Sequence, residues 1–111
     1  MKIDLQADAG VSIVTIEGAI DGKTAAEAQA QIATVLQPGA RVILDMTKVN
    51  YMSSAGLRTL LLVYRQSASQ SVKIALVGVS EEVKDVMSMT GFVKFFTLCD
   101  TLEAGKKAVN S

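Results

Sequence analysis

Residues 41–45 read Arg-Val-Ile-Leu-Asp, a run of strand length whose three central residues are all apolar. A strand with no polar face cannot lie half in water, so it belongs in the middle of a sheet. That requirement points to an α/β protein, with helices covering a mixed sheet that is mostly parallel at its centre.

The flanking sequence supplies the other parts. Ile3 and Leu5 alternate with polar neighbours, Asp8-Ala9-Gly10 is turn-like, and Val11, Ile13, Val14 and Ile16 form a β-branched run ending at Gly18. These features predict a hairpin. Thr24 with Glu27 matches a capping box, ahead of Ala25, Ala28, Ile32, Val35 and Leu36 at helical spacing, with Pro38-Gly39 as the stop. After the apolar strand, Met46 to Met52 reads as irregular. A second helix begins near Ser54, with Leu57, Leu60, Leu61 and Tyr64 on one face, while Leu62 and Val63 fall off it and predict exposed apolar surface. Ser67 to Ser71 reads as a polar linker and Val72 to Val79 as a strand, with Gly78 near its end.

Ser80 is placed to cap a third helix, with Glu81 and Glu82 in its first turn, Val83, Val86 and Met87 facing inward, and Gly91 as its end. Phe95 and Phe96 suggest a last strand, and Asp100 with Glu103 a cap for a closing helix through Val109. The predicted order is β-β-α-β-α-β-α-β-α in a single domain over residues 1–111, with no internal repeat. The phenylalanines and methionines are expected in the core, and Cys99 is expected to be a small buried residue.

Composition narrows function by exclusion. Lys plus Arg balances Asp plus Glu at 11 each, so nothing favours nucleic acid or an anionic membrane as partner. There is no histidine, which removes the commonest general base and metal ligand, and the lone Cys99 builds neither a disulfide nor a thiolate cluster. No metal, cofactor or catalytic set is expected. Met1-Lys2-Ile3-Asp4 does not open a signal peptide, and the longest apolar stretches, Leu60 to Tyr64 and Ile74 to Val79, are too short to span a bilayer. The expectation is a soluble cytoplasmic protein.

Two segments stand out. Gly18-Ala19-Ile20-Asp21 ends the second strand, and Asn50-Tyr51-Met52-Ser53-Ser54-Ala55-Gly56-Leu57 leads into the second helix. A serine before an apolar helical run is most simply a cap. A phosphate there would also be tolerated by the fold, because it meets unpaired amides and the positive end of the helix dipole, yet it would repel a partner docked over the loop. Ser54 is not a hydrolase nucleophile: Met52 stands where the elbow motif needs glycine, and the chain has no histidine. Asp21 is most simply a turn residue, while sheet-edge clustering of loops would place it near Ser54. The glycine spacings match neither a Walker loop nor a dinucleotide fingerprint.

Taken in order, Gly18-Ala19-Ile20-Asp21, Val42 to Val49, Tyr51-Met52-Ser53-Ser54-Ala55-Gly56-Leu57, Thr90-Gly91-Phe92, Phe95-Phe96 and Glu103-Ala104 resemble the STAS domains, and within them the bacterial anti-sigma factor antagonists. The resemblance covers essentially the whole chain. It implies a mixed sheet of four to five strands flanked by about four helices. It also implies regulation of transcription by partner switching: the unphosphorylated antagonist binds an anti-sigma factor that is also a serine kinase, is released when a loop serine is phosphorylated, and is reset by a serine phosphatase. By the motif the acceptor falls on Ser54, the nearby family aspartate on Asp21, and the partner-binding loop on Asp21, Ser53, Ser54, Ala55, Gly56 and Leu57. Ser53 stands where many antagonists carry aspartate, which makes it a second, less favoured acceptor. The competing reading is a ligand-sensing or scaffold STAS module that binds nucleotide or lipid or sits in a sensory assembly.

Overall fold

Ala9 and Gly10 both have positive φ, 51° and 82°. That is the backbone of the tight primed turn that suits a twisted hairpin, and it folds β1 (Lys2–Asp8) back on β2 (Val11–Ile20). The computed structural model describes the backbone of residues 1–111 and every side chain except that of Phe92. After the hairpin come α1 (Ala25–Ala33), β3 (Arg41–Met52), α2 (Ser54–Ser69), β4 (Lys73–Val77), α3 (Glu81–Met89), a 3₁₀ turn (Phe92–Phe95), β5 (Thr97–Cys99) and α4 (Leu102–Asn110).

The five strands lie side by side in chain order, with β1 antiparallel to β2 and every later pair parallel. Right-handed crossovers between successive neighbours carry their helices to one side of the sheet. Buried residues of α1, α2 and α3 accordingly share one core with Val14, Ile16, Val42, Leu44 and Leu76. Only α4 packs on the other side, where Val109 meets Val11, Ile13, Ile43, Ala75 and Val77. This explains the apolar run that constrained the fold: Val42 and Leu44 feed one core and Ile43 the other, and none of the three is exposed.

Several expectations are corrected. Met46 to Met52 is not irregular but continues β3. Shifts in register between Thr15 and Glu17 and between Gly18 and Ala19 let β2 stay paired with it as far as Met52. The buried residues there, Met46, Val49 and Met52, stand three apart, so the bulges hide the period of two. Ser67 is not linker. It is buried inside α2 and donates its hydroxyl to the Val63 carbonyl at 2.8 Å, which satisfies the polar group within its own helix. Val63 is buried while Leu62 is exposed, because the inner face of α2 also takes Gly56, Thr59 and Ser67.

α1 ends at Ala33, ahead of Pro38-Gly39, as the amides of Val35 and Leu36 tighten to bonds three residues back. Val86 is exposed although α3 buries Val83 and Met87. Phe95 and Phe96 precede β5 and pack against Tyr64, with centroids 5.2 and 5.7 Å away. The cap of α4 is Thr101, whose hydroxyl accepts from the Ala104 amide at 3.1 Å, not Asp100. Cys99 is only half-buried, and Met1, Met89 and Phe95 are exposed rather than core. The core expectation for Phe92 lies outside the described side chains.

Candidate functional site

β2 and β3 end together, with Ile20 paired to Met52. The chain leaves β3 through Ser53 in extended backbone (φ −86°, ψ 178°), and the Ser53 amide donates to the Ile20 carbonyl at 3.0 Å. The Ser53 hydroxyl then accepts from the Gly56 amide at 3.4 Å, so Ser53 is the cap of α2. Ser54 is the first residue of the helix. It is exposed, and among the described residues its hydroxyl has no hydrogen-bond partner. The two serines, alike in sequence, thus divide between holding the helix and facing solvent.

What presses this helix start against the sheet is the absence of a side chain at Gly56. A Cβ there would lie 2.6 Å from the Ile20 carbonyl oxygen and 2.7 Å from Met52 Cγ. Gly56 and Leu57 are buried beneath the loop, so the surface offered outward comes from Ser54, with Ser53 and Ala55 half-buried beside it.

Asp21 follows Ile20 directly, and the Ile20–Ser53 bond brings its turn beside the start of α2. Its carboxylate, however, is committed to its own turn: Oδ1 accepts from the Lys23 amide at 2.9 Å and the Thr24 amide at 3.2 Å. Thr24 does not form the expected capping box. Its hydroxyl donates to the Ala19 carbonyl at 2.9 Å and accepts from the Asp21 amide at 3.0 Å, tying the end of β2 to the start of α1.

The Lys23 amide, helped by Thr24 and the Lys23 charge, holds the Asp21 carboxyl below the usual value of 3.8 against a smaller opposing effect of desolvation. A depressed folded-state pKa contributes stability above the unfolded value, and that stability fades as pH falls through the folded one. Asp21→Asn is therefore expected to lower stability modestly at neutral pH, where the carboxylate is ionised, and to flatten the acid limb of a stability–pH profile below about pH 4, where the wild-type chain loses the same contribution. Urea denaturation at several pH values measures it.

Beside Ser54 a groove of ≈ 710 Å³ opens between α1 and α2 and reaches Thr90 beyond α3. Ala25 and Ala26 form one wall, and Ser54, Arg58 and Leu62 line the other. The apolar side chains of Tyr51, Leu62, Val86 and Met89 remain exposed on β3, α2 and α3, Met89 at 86%. Sequence reasoning signalled Leu62 through its position off the apolar face. It missed the groove, because the alanines of α1 signal close packing and not what they leave open. Among the described residues no group of three or more His, Cys, Asp and Glu side chains is placed to hold a metal ion. No helix is long and apolar enough to cross a membrane among those residues.

Residues 2–105 match the STAS domain family. The protein named "Putative anti-sigma factor antagonist BtrV" from Bordetella bronchiseptica is 30% identical over 109 residues, covering 97% of this chain and 94% of its own. The crystal structure of an anti-sigma factor antagonist from Mycobacterium paratuberculosis superposes with a TM-score of 0.88 at 25% identity, over 99% of this chain and 94% of that one. The Bacillus cell fate determinant SpoIIAA in its phosphorylated form shares the fold, with a TM-score of 0.72 at 18% identity over 96% and 97% of the two chains.

Proposed function

This chain belongs to the STAS domain family, and we propose that within it the protein is an anti-sigma factor antagonist switched by phosphorylation of Ser54. The observation that carries the reading is the exposed Ser54 hydroxyl. It stands on the first turn of α2 with its lone pairs and proton uncommitted, while Ser53 does the capping. The similarity to named antagonists supports the partner class, an anti-sigma factor, and the proposal takes that partner to be a serine kinase as well.

In the unmodified state the kinase docks over the Ser53-Ser54-Ala55 loop and the apolar groove beside it, and its sigma factor is set free. The kinase then moves the γ-phosphoryl group of ATP to Ser54 Oγ. The new P–O bond replaces the bond to ADP, and the hydroxyl proton passes to the kinase's base. The protein is here the substrate of chemistry and not its catalyst. The phosphate brings a charge of about −1.5 to −2 at neutral pH. On the first turn of α2 the free amides and the dipole accept that charge, so the domain stays folded. At a docked apolar interface the same charge is desolvated, and the complex separates. A serine phosphatase restores the binding form, and the exchange takes place in the cytoplasm.

Incubation with the cognate kinase and ATP is expected to add one phosphate, mapped to Ser54 by mass spectrometry. Phosphate on Ser53 alone, or none, contradicts the assignment. The docking face has its own check. Leu62 lies exposed along the groove, so Leu62→Asp should weaken binding of the kinase at least tenfold by calorimetry while leaving the circular dichroism unchanged, since burying an unpaired carboxylate in the complex is costly.

A further inference from the structure

β1 closes one edge of the sheet, and its outer side has no partner strand among the described residues. Asp8 and Val11 flank the two-residue turn, and in such a hairpin the flanking pair exchanges backbone hydrogen bonds. The alternation then sets the rest. Lys2, Asp4, Gln6 and Asp8 turn their amides and carbonyls toward β2, and those of Ile3, Leu5 and Ala7 point out of the sheet. The strand holds unbroken register with β2 from Lys2 to Asp8, so no bulge twists this edge away. It is exposed along its length except at half-buried Ile3, and Leu5 stands 44% exposed.

We propose that this edge pairs antiparallel with the same edge of a second copy of the chain, Leu5 opposite the partner's Leu5, joining two sheets into one. Charges on an edge strand usually prevent such pairing, but here their pattern is self-complementary. Three registers bring the outward-pointing groups opposite one another over five or more of the seven strand residues. Centring on Asp4 sets Asp4 against the partner's Asp4. Centring on Gln6 sets Asp4 against the partner's Asp8, twice over. Only centring on Leu5 avoids like charges: it sets Lys2 against the partner's Asp8 at both ends and Asp4 against the partner's Gln6. It is also the register that uses the whole strand and all the outward amides. Like charges directly opposite destabilise a strand pair and opposite charges support it. Lys106 of α4 already pairs with Asp8 of its own chain, which places the even-numbered side chains on the α4 side, in one row with the partner's Lys2. Leu5, opposite Val14 in the first core, lies on the other face, where the two leucines meet.

One strand contact is a small interface, so the dimer is weak, with Kd on the order of 100 μM. The edge is separate from the Ser54 groove, and its test does not depend on that reading. Sedimentation equilibrium from about 10 μM to about 1 mM should show the mass rising from 11.7 kDa toward twice that value. Leu5→Pro removes an amide that the β2 ladder does not use, at an edge where proline is tolerated, and should weaken the dimer at least tenfold. Lys2→Asp and Asp8→Lys should each be monomeric alone, whereas an equimolar mixture of the two restores dimer, because every facing pair is then of opposite charge. That mixture keeps the test decisive if Leu5→Pro fails to fold. A monomer at every concentration overturns the proposal. So does a dimer indifferent to Leu5→Pro, or charge variants that stay apart when mixed.

Discussion

Ser54→Ala is expected to remain bound to the partner kinase in the presence of ATP, where the wild-type chain is phosphorylated and released. The substitution removes one oxygen from an exposed residue whose hydroxyl has no hydrogen bond among the described residues, and the capping bond belongs to Ser53. Stability should therefore stay within about 0.5 kcal/mol of wild type. What changes is the acceptor. Without the Ser54 hydroxyl there is no oxygen on which to place a charge at the centre of the docked face. A hundredfold loss of affinity on phosphorylation corresponds to about 2.7 kcal/mol, within the range for a charge left unpaired in a desolvated contact. Ser53→Ala is the matching control. It should cost about 1 kcal/mol of helix stability through the lost cap and leave ATP-driven release intact. Pull-down with and without ATP measures both, and release of Ser54→Ala by ATP would place the switch elsewhere.

Gly56→Ala is expected to be the most disruptive single methyl group near the site. The added carbon would sit 2.6 Å from the Ile20 carbonyl oxygen and 2.7 Å from Met52 Cγ. Met52 is only 5% exposed and has little room to yield. The carbonyl is held where it is by accepting the Ser53 amide. The start of α2 must lift off the ends of β2 and β3, which stretches the bond that positions the serine loop. Overpacking of this kind costs about 1–3 kcal/mol, against a gain of about 1 kcal/mol in helix propensity at that position. A lower urea midpoint and weaker kinase binding should appear together. Gly22→Ala, in the adjoining turn with nothing within 4 Å of the added carbon, should leave both within error.

The element order was legible because each element carries its own local signal. The β-branched residues of β2, the apolar Val42-Ile43-Leu44 and the leucines of α2 repeat at the periods their structures demand. The end of β3 was not legible, because β3 itself carries an extra residue at each of two register shifts against β2, which breaks the alternation of Met46, Val49 and Met52. Ser67 misled for a different reason: a hydroxyl bonded to its own helix is polar in sequence and satisfied in the core. Thr24 and Glu27 matched a capping pattern, but the threonine found a stronger commitment across the turn to Ala19 and Asp21. At the site, the helix start could be read from where the apolar period of α2 begins. Which serine caps and which faces outward could not, since it depends on the extended backbone at Ser53 and the seat of Gly56 against Ile20. The groove beside Ser54 is a property of two helices together, and neither segment encodes it alone.

The switch itself is tested most directly by titrating the cognate kinase, in a calorimeter, with the chain in two forms: unmodified and stoichiometrically phosphorylated at Ser54. Binding of the phosphorylated form at least about 100-fold more weakly, with an unchanged circular dichroism spectrum, is the result expected. Equal affinity of the two forms would contradict a switch at Ser54.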